Sequence, residues 1–136
     1  MKNTLKFTTI LFLLLNYNIY AQQMVQNTRD VYRLKEYEAI FINKPLKDLL
    51  KEIKPEIKTV FVDENYFCFY FITREQLKKN EGSVDDSVVL FVDVKEYIDW
   101  QWGTRPKGKE TIWSKEDADK YGNLIVTRIG VIDGKN

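Results

Sequence analysis

Hydrophobic positions along this chain change their period several times, and each change predicts an element. At the start, Lys2 and Lys6 precede an apolar run from Phe7 to Leu15, interrupted only by Thr8 and Thr9. A polar stretch, Asn16 to Tyr20, then leads to Ala21-Gln22. Positive start, short apolar middle and small residue before the cut are the three parts of a secretory signal peptide. The apolar run is shorter than the ~20 residues that a permanent bilayer-crossing helix needs. Residues 1–21 are therefore expected to be removed after Ala21, with no stable membrane span left behind. Position 22 is Gln, not the Cys of a lipoprotein anchor site.

Past the expected cut, Gln22 to Asp30 is polar and expected to be loosely held. Val31 to Phe41 settles neither period and is compatible with helix or strand. Leu46, Leu49, Leu50 and Ile53 follow the spacing of one helix face, which predicts a helix over 44–54. Asn43 is the expected N-cap, and Pro55 the stop.

Strand patterns follow. Ile57 to Asp63, carrying Val60, Phe61 and Val62, and the almost wholly apolar Tyr66 to Thr73 are joined by the turn-forming Asp63-Glu64-Asn65, which predicts a hairpin. A block apolar on both faces belongs inside a sheet. Thr73 and Gln76 have the spacing of a capping box, opening a short helix to Lys79; a polar loop runs from Asn80 to Ser87. Val88, Leu90, Val92 and Val94 alternate along one strand face. Ser114 and Asp117 open a second short helix that Gly122 is expected to close in a left-handed cap. The last strand, Leu124 to Ile132, is expected to place Ile125, Thr127, Ile129 and Val131 on one face. Helices and strands interleave without the long crossovers of a doubly wound fold. The expected class is α+β: a mainly antiparallel sheet of about four strands with helices packed on one face.

Composition narrows the function. Removing 21 of the 136 residues leaves 115, enough for a single small domain over 22–136. Loss of Lys2 and Lys6 takes the net charge from +1 to −1, which gives no general pull toward nucleic acid. There is no histidine, which excludes a Ser-His-Asp triad, a Cys-His pair and histidine zinc sites. Cys68 is the only cysteine, so no intrachain disulfide can form. Its aromatic neighbours favour a buried, inert thiol; an intermolecular disulfide is the other reading for an odd exported cysteine.

Two motifs come close to known sites and miss. Gly103 to Lys109 has the glycine and lysine spacing of a phosphate-binding P-loop, but Glu110 stands where a Ser or Thr should hold Mg²⁺. Asp117, Asp119 and Gly122 imitate the start of a calcium loop, but Tyr121 and Arg128 occupy ligand positions. No cofactor or metal is therefore expected. The adjacent acids Asp63-Glu64 and Asp85-Asp86 read as solvated turns, although paired carboxylates are also what glycosidases use.

The best candidate site is the segment from Trp100 to Trp113. All three tryptophans of the chain, Trp100, Trp102 and Trp113, fall here, interleaved with Arg105, Lys107 and Lys109. Exposed Trp and Arg are favoured at binding surfaces, where Trp faces stack on sugars or cations. The alternative is that Trp100 and Trp113 close the edge of the core and the loop is solvated.

Phe41 to Ile53 resembles the Pro-Leu-x-x-x-Leu helix of short N-terminal modules in secretins and TonB-dependent receptors. The likeness covers thirteen residues of mostly generic amphipathic pattern, no pore or plug sequence accompanies it, and the chain is not assigned to that family. The first expectation is a non-catalytic interaction domain of a bacterial-type periplasm or the cell exterior, with another exported or envelope protein as partner. An immunity-type inhibitor of an exported toxin fits this size. The alternatives are a carboxylate-dependent hydrolase acting on envelope glycans and a purely structural envelope component. A cleft with two acids beside the tryptophans would favour the hydrolase; a flat apolar patch would favour a protein partner.

Overall fold

The structure, a computed structural model, describes residues 22–133. The expected signal peptide lies outside the described residues. Four strands form one antiparallel sheet in sequential order: β1 (Thr59–Asp63), β2 (Tyr66–Tyr70), β3 (Val89–Val94) and β4 (Val126–Ile132). Four α-helices accompany them among the described residues: α1 (Tyr32–Glu36), α2 (Leu46–Leu50), α3 (Arg74–Lys79) and α4 (Lys115–Tyr121). The class is α+β, as the pattern predicts. No helix among the described residues is long and apolar enough to cross a membrane.

Register explains the core. Val60, Phe69, Leu90 and Val131 form one cross-strand row, and Val62, Phe67, Val92 and Ile129 the next. These rows share the inner face, where Phe67, Phe69, Leu90, Val92 and Ile129 are wholly buried beneath Leu34, Leu46 and Leu49. Each such side chain is worth ~1.5–3 kcal/mol when taken from water, so this face holds the fold without a disulfide.

Both capping boxes form: Thr73 with Gln76 opens α3, and Ser114 with Asp117 opens α4. Elsewhere tertiary contacts redraw local expectations. Val31 to Phe41 is helical, α1 followed by a short 3₁₀ turn. The Gln22–Asp30 stretch is held, not loose: Val25 is wholly buried and bridges Ile53, and Asn27 caps a 3₁₀ turn.

The helix expected over 44–54 is shorter, because its ends pair with other segments. Leu46 and Lys47 donate their N–H groups to the carbonyls of Leu124 and Gly122 at 2.7 and 2.8 Å. Those are the free donors that an N-cap side chain usually satisfies. Asn43 is therefore not the cap; it sits at φ 63° and donates to Val126. At the other end, Val25 exchanges backbone hydrogen bonds with Glu52 and Lys54. Leu50 is consequently only half-buried, while Leu46 and Leu49 are closed off.

Gly122 is right-handed (φ −61°), not the left-handed cap expected. Its role is close approach: a Cβ there would lie 2.6 Å from the Ala118 carbonyl oxygen and 3.2 Å from Lys47 Cβ. In β4 the expected face is also corrected. Asp93 pairs with Arg128 but Val94 with Val126, so Thr127 is an extra residue on β4. This bulge shifts the alternation by one and buries Val126 in place of Ile125.

The outer face is unusual. Its rows are Phe61, Cys68, Phe91, Gly130, and Thr59, Tyr70, Val89, Ile132. A sheet with one solvated face normally alternates apolar and polar residues. Here only the third row, Asp63, Tyr66, Asp93 and Arg128, is polar.

Candidate functional site

The Trp-rich segment is divided between core and surface. Trp100 is 3 % exposed and stacks parallel to Trp113 at 6.2 Å and against Tyr121 at 5.4 Å. Trp113, half-buried, meets the edges of Phe67 and Phe69 at 5.8 and 5.0 Å. These two tryptophans therefore extend the inner-face core. Trp102 is 44 % exposed and its ring meets that of Trp100 in an edge contact at 6.1 Å.

The three cations do not converge. Arg105 turns inward, its guanidinium 3.4 Å from the centre of the Trp100 ring, and donates through Nη2 and Nη1 to both oxygens of Asp117 at 2.6 and 3.3 Å. Its Nε donates to the Trp100 carbonyl. Asp117, 6 % exposed, also accepts from the Ser114 N–H and hydroxyl. Burial opposes its charge, but hydrogen bonds from Arg105 and Ser114 outweigh burial and hold its pKa below the ordinary carboxylate value. Arg105 thus spends its charge inside the fold. Lys107 and Lys109 are exposed and form no salt bridge among the described residues.

The near-P-loop is occupied by its own acid. Glu110 accepts the Gly108 N–H at 3.0 Å and lies 3.9 Å from Arg74. Backbone hydrogen bonds from its own N–H and that of Gly108 lower its pKa. A carboxylate therefore stands where a phosphate would be cradled. In the near-calcium loop, Asp117 is committed to the cap and to Arg105. Among the described residues no three His, Cys, Asp or Glu side chains gather as a metal site requires.

The other adjacent acids also have local partners. Asp63 accepts from the Glu64 N–H and the Tyr66 hydroxyl, and Asp86 from the Thr28 hydroxyl at 3.0 Å. Cys68 is 7 % exposed, and burial, followed by Asp63 and Asp93, pushes its thiol up to about 11. A neutral, enclosed thiol is a poor nucleophile.

The structure adds Tyr97 and Asp99, which the sequence pattern did not single out, and brings them beside the adjacent acids of the hairpin turn. Tyr97, 74 % exposed, joins Trp102 at a cleft of about 160 Å³ that Asp63, Glu64 and Asp99 also line. The loop is pinned to the hairpin turn by Ile98 N–H donating to the Glu64 carbonyl, and to α4 by the Tyr121 hydroxyl donating to the Asp99 carbonyl. The nearest sequence signal is the alternation Tyr97-Ile98-Asp99-Trp100, in which Ile98 and Trp100 are buried. It gives no hint of Asp63 and Glu64, which arrive through the hairpin.

Comparison with known families, with curated proteins and with solved structures found no match. Function is therefore argued from the sequence pattern and the geometry.

Proposed function

We propose that this chain is a non-catalytic binding domain, exported to a periplasm or the cell exterior, whose outer sheet face is covered by another exported or envelope protein. The observation that carries this reading is the composition of that face. Phe61 and Ile132 are 37 % and 54 % exposed, with Tyr70, Val89 and Phe91 half-buried between them. Phe61 and Tyr70 meet edge to face at 5.5 Å, so the patch is ordered before any partner arrives. Contiguous apolar surface of this kind is costly to leave in water and is typical of a protein interface. Export is supported by the three-part leader pattern of residues 1–21.

A photo-crosslinking residue at position 61, introduced in the native host, tests the reading. It should give one discrete adduct with a second protein, absent when the probe sits at Lys47 on the helical side. The adduct should vanish in a Phe91→Ser, Ile132→Ser variant under conditions where circular dichroism shows that the variant is still folded. A self-adduct, or equal adducts from both positions, would refute it. The mature N-terminus should be found by mass spectrometry at or next to Gln22; intact Met1 would refute export.

A second reading has one observation in its favour. Glu56 and Glu75 line a cleft of about 330 Å³ together with Trp113, so two carboxylates and a tryptophan share one cleft. Hydrolysis of envelope glycans that is abolished by both Glu56→Gln and Glu75→Gln would replace the binding reading.

A further inference from the structure

The cleft between Tyr97 and Trp102 lies at the hairpin end of the sheet, apart from the apolar rows of the outer face. We propose that it is a recognition pocket for one organic cation, the guanidinium or ammonium head of an Arg or Lys side chain presented by a peptide or protein.

Three observations lead there. The first is size. At about 160 Å³ the cleft is well under the roughly 300–1,000 Å³ of small-molecule pockets, and is suited to a single side-chain head. The second is the walls. Two exposed aromatic residues line the cleft, Tyr97 at 74 % and Trp102 at 44 %, together with the buried Trp100. Aromatic faces attract cations through their ring quadrupole, Trp most strongly. This cluster already does so internally, with Arg105 held 3.4 Å from the Trp100 ring centre. The third is charge. Asp63, Glu64 and Asp99 line the cleft and no Lys or Arg does. The charge of neighbouring Arg105 is met by Asp117. An anionic partner, which the cations of this segment suggest when read in sequence, would meet repulsion here.

The acids also discriminate between cations. They do not close together as ligands of a metal ion would. Both oxygens of Asp63 accept hydrogen bonds, from the Glu64 N–H and the Tyr66 hydroxyl, and one oxygen of Asp99 accepts from the Gln101 side-chain amide at 2.7 Å, which leaves Glu64 and the second Asp99 oxygen to meet the cation. A cleft of about 160 Å³ is larger than a bare ion, which suits a delocalised or tetrahedral organic cation beside aromatic residues. Because the loop backbone is tied to both hairpin and α4, little ordering entropy opposes binding.

The test is an NMR titration of the ¹⁵N-labelled protein with N-acetyl-arginine methylamide, its lysine counterpart and the neutral norleucine counterpart. The Arg and Lys probes should shift the Trp102 indole N–H saturably, with dissociation constants on the order of 1–10 mM for a single side chain. Norleucine should not. Glu64→Gln combined with Asp99→Asn should weaken Arg binding by about tenfold or more, as should raising the salt to about 1 M, where screening is nearly complete. Tyr97→Ala, at a position too exposed to affect folding, should weaken it as well. Equal binding of norleucine, unchanged Arg binding in the Glu64→Gln, Asp99→Asn variant, or no saturable shift with Arg would each overturn the pocket. None of these results bears on crosslinking from position 61, so the two proposals fail separately.

Discussion

The two faces of the sheet are made of similar residues and meet opposite ends. On the inner face Phe67, Phe69, Leu90, Val92 and Ile129 are wholly buried; on the outer face Phe61 and Ile132 stand in water. Aromatic content does not separate them. What separates them is where the connections run: α1, α2 and α4 close over one side, and Trp100 and Trp113 complete that layer. The inner face therefore carries the stability, and the outer face leaves apolar area free for another molecule. The Trp-rich segment repeats the contrast at small scale, with Trp100 inside and Trp102, two residues on, outside.

The sharpest way to break this comparison is to truncate a matched pair of rings. Phe69→Ala should cost about 3–5 kcal/mol in denaturant titration, since it opens a cavity under the helices. Phe61→Ala, on the outer face, should cost less than about 1 kcal/mol. Equal losses would mean that both faces are core.

The helix layer offers a second test. Leu49→Ala should destabilise by about 2–4 kcal/mol, while half-buried Leu50→Ala should cost roughly half as much and Lys51→Ala almost nothing. The alternative, a helix running on to Lys54 with Leu50 on its buried face, requires Leu49 and Leu50 to be equally sensitive.

A smaller effect should come from the tie that holds the Trp segment to α4. Asp117→Asn should cost about 2 kcal/mol at neutral pH, less than a fully buried pair because Arg105 keeps some access to water. Asp117 has its folded pKa lowered, so its contribution is full above the unfolded carboxylate value and fades as pH falls through the folded one. The gap between wild type and variant should therefore close on acidification below about pH 4. A gap that widens in acid would contradict the assigned ion pair. Glu38, whose carboxylate caps the Ile129 N–H at 2.7 Å, is shifted in the same direction and should add to the acid sensitivity of the wild type.

The smallest effects belong to the open surface. Ile132→Ser and Trp102→Ala should each move stability by no more than about 0.5–1 kcal/mol. A large loss from Trp102→Ala would make it a core residue and undercut the cation pocket.

Where a structure depends on neighbours in the chain, it was legible. Capping boxes need a hydroxyl and a carboxylate or amide three residues apart, and both formed at Thr73 and Ser114. The β1–β2 hairpin needs two apolar runs about a turn-forming triplet, and it too was readable. The alternation of Leu90, Val92 and Val94 gave the buried face of β3 directly.

What the sequence alone determined was thus the local periods, the α+β class, and the exclusion of histidine chemistry and of an intrachain disulfide. The tertiary structure decided the rest, because long-range hydrogen bonds and packing compete with local preference. The carbonyls of Gly122 and Leu124 took over the capping of α2, and one extra residue at Thr127 reversed the alternation of β4. Asp117 claimed Arg105 across twelve positions, which turned that one cation of the basic loop inward. Asp63 and Glu64 reached Tyr97 and Trp102 only because the hairpin folds its turn beside that loop. Residue type sets what a side chain can bind; only the fold sets which side chains stand together and which of them remain open to water.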